Sequence, residues 1–181
     1  PAIANRMYSR KNASAIADAR DGMRVEQHGD RSYLIRFPFV NVAAFDTDDG
    51  LVLVDAGFAP AGPALLEACT SISDKPVHTI ILSHFHCDHA FGAWALFEAG
   101  HRPEIVATAD FVRELQADLD TWGLNSRYTN QNPNDVPRDW DMAFTPTNTY
   151  HGSTSLDIGA MRFDLTHGRG ETADQQWVWV P

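Results

Sequence analysis

The sequence predicts a layered α/β domain, and three observations carry that reading. Short apolar runs rich in β-formers recur from Ser32 onward. From Leu51 they alternate with segments of helical period, and one of them ends in a dense cluster of imidazole and carboxylate side chains. Strand-helix alternation of this kind builds a sheet covered by helices, with its functional groups gathered at strand C-termini.

The elements follow in order. Residues 1–30 are polar and mixed, without sustained period, and are expected to form an irregular arm or a short edge element ahead of a domain spanning 31–181. Residues 32–37, 42–45 and 51–54 read as strands, with the turn chemistry of Asp46-Thr47-Asp48-Asp49-Gly50 between the last two, so a β-meander is expected. The period then changes: Leu65, Leu66, Cys69 and Ile72 share one helix face, and Pro60 and Pro63 suit the start of that helix. Residues 78–83 form the next buried strand, and Phe91, Trp94 and Ala95 show helical spacing up to Gly100. Residues 104–107 repeat the strand signal, and Phe111, Leu115, Leu119 and Trp122 line an amphipathic helix. Residues 123–150 break the rhythm with Asn, Asp, Pro and Thr; their aromatics Trp140, Phe144 and Tyr150 favour a lid over a partly apolar substrate. A hairpin across 155–165, a Gly-rich turn and a strand at 177–181 close the chain.

Composition bounds what such a domain can do. With 181 residues, 44% apolar and 21% charged, the chain carries enough apolar side chains for one sizeable core. Its 24 acidic against 14 basic residues give a formal charge of -10, which opposes nucleic-acid phosphates and argues against a nucleic-acid partner. Two cysteines, Cys69 and Cys87, have neither zinc-finger nor disulfide-framework spacing, and Cys87 is expected to pack rather than ligate. No apolar run reaches the roughly 18 residues of a membrane span, and residues 1–10 lack a signal-peptide core. Because the chain begins at Pro1, a leader removed earlier stays compatible with the sequence, and the compartment is left open between cytoplasm and export.

The chemistry concentrates in His84-Phe85-His86-Cys87-Asp88-His89. In extended backbone His84, His86 and Asp88 would share one face while Phe85 and Cys87 point to the other, with His89 following at a helix start. Three imidazoles and a carboxylate after a buried strand are costly unless a cation compensates them. They offer two imidazoles to one cation and an Asp-His pair to a second, with room for a shared hydroxide. His28, His78, His101 and His151 lie outside any such cluster and read as ordinary histidines.

The pattern His84-x-His86-x-Asp88-His89 after an apolar strand, preceded by Val54-Asp55-Ala56-Gly57, resembles the metallo-β-lactamase superfamily of metallohydrolases. The resemblance runs from about Ser32 onward and implies the N-terminal half of an αββα sandwich. It implies His84 and His86 as ligands of a first metal, Asp88 and His89 as ligands of a second, and Asp55 as a support beneath them. The family's next ligand is normally a histidine in a Gly-His-Thr turn leading into a strand that ends at Pro. Here an ungapped register to Pro181 places Glu171, in Gly170-Glu171-Thr172, at that position, while His167 lies four residues earlier. Either can bind a metal, and the register favours Glu171 as third ligand.

A glutamate there is similar to the alkylsulfatase branch, whose members cleave alkyl sulfate esters at a paired-zinc site. The resemblance therefore implies a binuclear hydrolase acting on an ester-type substrate, with zinc, or else iron or manganese, as cofactor and Asp88 orienting the attacking hydroxide. Lactonase, thioesterase or β-lactamase-like chemistry is the alternative within hydrolases. A non-catalytic metal-binding half-domain is the alternative outside them. The family normally continues with a second half that carries a bridging ligand and a final histidine, so a second chain or a missing C-terminal half is expected to complete the site.

Overall fold

The structure, a computed structural model, describes residues 13–121, 124 and 145–181. Its larger sheet runs in sequence order: β1 (Arg24–Gln27), β2 (Ser32–Arg36), β3 (Asn41–Asp46), β4 (Leu51–Val54), β5 (Val77–Ile81), β6 (Glu104–Thr108) and β7 (Asn148–Tyr150). β1 to β4 pair antiparallel, as the expected meander requires, and β4 to β7 pair parallel. The β3–β4 turn is closed by Thr47, whose amide and hydroxyl both donate to Gly50 O, at 3.1 and 2.7 Å.

Parallel pairing demands crossovers, and the helices supply them. α1 (Ala13–Gly22) precedes the sheet, α2 (Gly62–Ile72) joins β4 to β5, and α3 (Cys87–Ala90) and α4 (Trp94–Glu98) join β5 to β6 around a 3₁₀ turn at Phe91–Ala93. α5 (Phe111–Asp120) follows β6. Three antiparallel strands, β8 (Ser153–Ile158), β9 (Met161–His167) and β10 (Gln176–Trp179), form a second sheet in the order β10-β9-β8.

Alternation along the central strands builds two cores. Leu51, Leu53, Ile80 and Ile105 face the helices and pack with Leu65, Phe91, Leu96, Phe111 and Leu115. Val52, Ile81 and Val106 face the opposite way and pack with Ile158, Phe163 and Leu165 of the smaller sheet. The central strands read as continuous apolar runs because both faces are covered. Helices, large sheet and small sheet thus stack as the helix-sheet-sheet part of an αββα sandwich.

Three local features differ from the sequence reading. α1 occupies part of the stretch expected to be an irregular arm or a short edge element, with β1 after it at the edge of the sheet; α1 buries only Ala19, which is why it shows no apolar period, and it is tied down by the Arg20–Glu67 ion pair. The last residues of the 123–150 loop pair as β7 against β6, with Tyr150 in the sheet. The helix expected around Phe91 begins at Cys87 and is interrupted by the 3₁₀ turn. Trp122, Trp140 and Phe144 lie outside the described residues, and so does most of the segment read as a lid.

Candidate metal centre

The cluster is delivered by a loop and a helical turn rather than by continued strand. β5 ends at Ile81, and Leu82 N donates to Val106 O at 2.9 Å as the last tie to the sheet. His86 keeps extended backbone as the residue before α3, and its carbonyl accepts from His89 N at 3.0 Å and Ala90 N at 3.2 Å. Strand alternation therefore stops at His86, and Asp88 and His89 project from the first turn of α3. Phe85 and Cys87 still enter the core, as expected.

Glu171 arrives from the turn between β9 and β10. Its amide donates to Gln175 Oε1 at 2.5 Å, and the strand that follows is anchored by Gln176, which is 2% exposed. Gln176 N donates to Ser83 O at 2.8 Å, its Nε2 donates to Leu82 O at 2.7 Å, and its Oε1 accepts from the Tyr150 hydroxyl at 2.5 Å. These bonds fasten the start of β10 to the loop that carries the histidines. The Glu171 carboxylate then stands 3.4 Å from His86 Nδ1 and 3.7 Å from His84 Nε2.

Ligand atoms of His84, His86 and Glu171 all lie within 4.8 Å of one another. Two donors each about 2.0–2.1 Å from a tetrahedral zinc stand roughly 3.3 Å apart, so this spacing suits a shared cation better than direct hydrogen bonds. Two buried atoms support the same fit: His84 Nε2 and Asp88 Oδ1 have no hydrogen-bond partner among the described residues. A bound cation is the group that would satisfy such atoms. His167 stands apart from this group. Its Nε2 donates to Ala173 O at 2.7 Å and faces Asp110 at 3.7 Å, so of the two candidates for the third position the structure brings Glu171 to the histidines.

Beneath the cluster lies Asp55, held in the left-handed region at φ 66°, a conformation few non-glycine residues adopt. Its Oδ1 accepts from Ser83 N at 2.7 Å, and its Oδ2 accepts from the Ser83 hydroxyl at 2.9 Å and from His89 Nδ1 at 2.7 Å. His84 Nδ1 lies 2.9 Å from the same Ser83 hydroxyl. The loop after Asp55 is locked to α3 and the 3₁₀ turn that follows it by Ala56 N donating to His89 O at 2.6 Å and Gly92 N donating to Gly57 O at 2.9 Å. Ser83 and Gln176 escaped the sequence reading, and no local pattern marks either of them.

The electrostatics separate the histidines. Burial, reinforced by the neighbouring His89 and His86, pushes His84 down to about 3, so it stays a neutral imidazole fit for ligation. His89 moves the other way: burial opposes its charge, but the hydrogen bond and charge of Asp55, with Asp88 and Glu171, lift it above the ordinary imidazole value. Asp174, which is 1% exposed, is raised by burial, partly offset by the Thr172 hydroxyl, and its Oδ2 has no partner among the described residues.

Residues 35–174 match the model of the Metallo-beta-lactamase superfamily. Solved structures share the fold at low identity. A B3 metallo-β-lactamase with an active-site glutamic acid matches at 21% identity and TM-score 0.71, over 94% of this chain and 62% of that one. BJP-1, a subclass B3 metallo-β-lactamase of Bradyrhizobium japonicum, matches at 16% identity and TM-score 0.67, over 92% and 60%. A double mutant of the sec-alkyl sulfatase PisA1 matches at 19% identity and TM-score 0.70, over 95% and 32%. The chain thus spans about three fifths of the lactamases and a third of the sulfatase. No curated protein sequence matches it.

Proposed function

We propose that this chain, which belongs to the metallo-β-lactamase superfamily, is the part of a metal-dependent hydrolase that holds one cation on His84, His86 and Glu171 and presents Asp88 and His89 to a second. The observation that carries the reading is the convergence of those first three side chains from two separate segments, with His84 Nε2 buried and without a hydrogen-bond partner among the described residues. A divalent cation bound there, zinc or alternatively iron or manganese, would supply Lewis acidity and make a bound water nucleophilic near neutral pH.

The chain's own residues do the rest. His84 contributes a neutral lone pair held rigidly below the surface, and Glu171 contributes a negative ligand from an exposed turn. Asp88 Oδ1, buried and without a hydrogen-bond partner among the described residues, would accept a hydrogen bond from the attacking water and so orient it. His89, gripped by Asp55, keeps its Nε2 toward Asp88 Oδ2 at 3.9 Å. A catalytic cation normally keeps three protein ligands, and Asp88 with His89 provides two, so a further segment or a second chain completes the second site. Trp177 and Trp179 favour the same reading, because both are more than half exposed on the edge strand β10, where a covering element would bury them.

The substrate is a small, partly apolar ester-type molecule, and the sulfate ester of an alkyl alcohol is the preferred class. A carboxylate among the ligands and the structural likeness to a sec-alkyl sulfatase support that choice. The likeness to a B3 lactamase with an active-site glutamic acid favours β-lactams as a second reading. The test is a panel of alkyl sulfates, β-lactams, lactones and thioesters against the zinc-loaded protein and its His86→Ala variant. Turnover of one class, lost together with bound zinc in the variant, is expected. Turnover that survives in metal-free His86→Ala would overturn the proposal.

A further inference from the structure

We infer that Ser83 is a positioning residue whose hydroxyl fixes the ring tautomer of His84, while the Asp55 carboxylate it is bonded to fixes that of His89. Both imidazoles then turn an unprotonated Nε2 toward the metal centre. The inference rests on the cation site proposed above and adds a residue that neither the motif nor the family match identifies.

The number of available hydrogens fixes the direction of each bond. Ser83 has one hydroxyl hydrogen and two partners at 2.9 Å, Asp55 Oδ2 and His84 Nδ1, with His89 Nδ1 farther off at 3.5 Å and already donating to Asp55. A carboxylate only accepts, so if the hydroxyl donated to His84, two lone-pair oxygens would face each other at 2.9 Å. The arrangement that satisfies both contacts runs one way: His84 Nδ1–H donates to Ser83 Oγ, and Ser83 Oγ–H donates to Asp55 Oδ2. The lone pair of His84 is thereby placed on Nε2, the buried atom that has no hydrogen-bond partner among the described residues.

His89 follows from the same carboxylate. Its Nδ1 lies 2.7 Å from Asp55 Oδ2 and must donate there, which leaves Nε2 free toward Asp88. Asp55 cannot drift from this role, since the Ser83 amide holds its Oδ1 at 2.7 Å and the backbone at Asp55 N is pinned to Ile81 O at 2.9 Å. One serine between strand and cluster thus couples the protonation pattern of two histidines that approach the site from different elements. Groups bonded to the far nitrogen of a ligating histidine commonly set its orientation and affinity.

The experiment reads tautomers directly in metal-free protein. Two-bond ¹H–¹⁵N correlation spectra, recorded above the imidazole titration range, are expected to show both His84 and His89 as Nδ1–H in the wild type. In Ser83→Ala, His84 is expected to become a mixture of tautomers while His89 stays Nδ1–H. Zinc affinity, titrated with zinc alone, is expected to fall about 10-fold or more. Ser83→Thr keeps the hydroxyl and is expected to restore both readouts. A wild-type His84 protonated on Nε2 would overturn the inference even if Ser83→Ala failed to fold, and so would an unchanged His84 tautomer in a folded Ser83→Ala. Because the spectra need neither cation nor substrate, the result is independent of whether the protein hydrolyses any member of the panel.

Discussion

Gly92 offers the sharpest test of how the site is held together, because its environment predicts damage that its backbone conformation does not. It sits in the 3₁₀ turn between α3 and α4, where alanine would suit the conformation. The space is the obstacle. A Cβ there would lie 2.0 Å from Ala56 O, 3.1 Å from Ala56 C and 3.1 Å from Phe58 O, all backbone atoms that no rotamer change can move aside. An ordinary carbon–oxygen contact is about 3.3 Å, so the two segments must part by roughly 1 Å or more.

That separation breaks the two hydrogen bonds joining them, Ala56 N to His89 O and Gly92 N to Gly57 O. At about 1 kcal/mol each, with about 1–3 kcal/mol for overpacking, Gly92→Ala should cost about 3–5 kcal/mol. It should also weaken zinc binding, since the displaced loop carries Asp55 away from His89. Gly100→Ala is the control: φ is 97° and nothing lies within 4 Å, so only the strain of about 1–2 kcal/mol applies and zinc affinity should hold. Urea midpoints at constant m-value, with zinc titrations, measure both variants. A loss below about 1 kcal/mol for Gly92→Ala would show that the Ala56 and Gly92 segments are not rigidly apposed, and the account of the site's framework would fail.

Two further outcomes follow from the same geometry. In metal-free protein, His84 at about 3 stays neutral in the folded chain while the unfolded chain takes up a proton near 6.5, so its contribution to stability is lost as pH falls through that window. The slope approaches about 1.4 kcal/mol per pH unit and flattens in His84→Gln; His89, raised, acts with the opposite sign and loses its contribution as pH rises through its folded value. Urea midpoints across that range check this, and equal slopes in the two proteins would refute it. Gln176→Ala should lower stability by about 2–4 kcal/mol, since Leu82 O and the Tyr150 hydroxyl lose a buried partner, and thermal unfolding that stays within about 1 kcal/mol of wild type would remove Gln176 from its clamping role.

What the sequence made legible was what local pattern encodes. The runs at 51–54, 78–83 and 104–107 announced central strands because they are apolar on both faces, and the meander followed from its turn residues. β7 stayed hidden because Asn148, Thr149 and Tyr150 are too few and too polar for any period to show. α1 was missed because a helix that buries one alanine carries no stripe. At the site, counting back from Pro181 favoured Glu171 over His167, because a strand transmits register from one end to the other. Ser83 and Gln176 were invisible for the opposite reason: the partners that define them, Asp55 and Leu82, lie 28 and 94 residues away. The extended reading of the cluster failed at Asp88, where the carbonyl of His86 closes a helical turn that the alternation of side chains could not announce.

The ligand set also bears on a tension in the composition. A protein with formal charge -10 would be expected to repel an anionic sulfate ester or β-lactam carboxylate. A carboxylate ligand in place of an imidazole deepens that tension, because it lowers the charge and Lewis acidity of the first cation. Two divalent cations in the proposed centre would offset the carboxylates of Glu171, Asp88 and the underlying Asp55, so the occupied site would be much less negative than the acidic surface around it. The bound cations would then be the largest local charges in the site. Glu171 stands on an exposed turn while His84 is buried, so in the proposed centre the negative donor is the one that faces solvent. A buried neutral donor below and an exposed anionic donor above would leave the open face of that centre to an incoming anion.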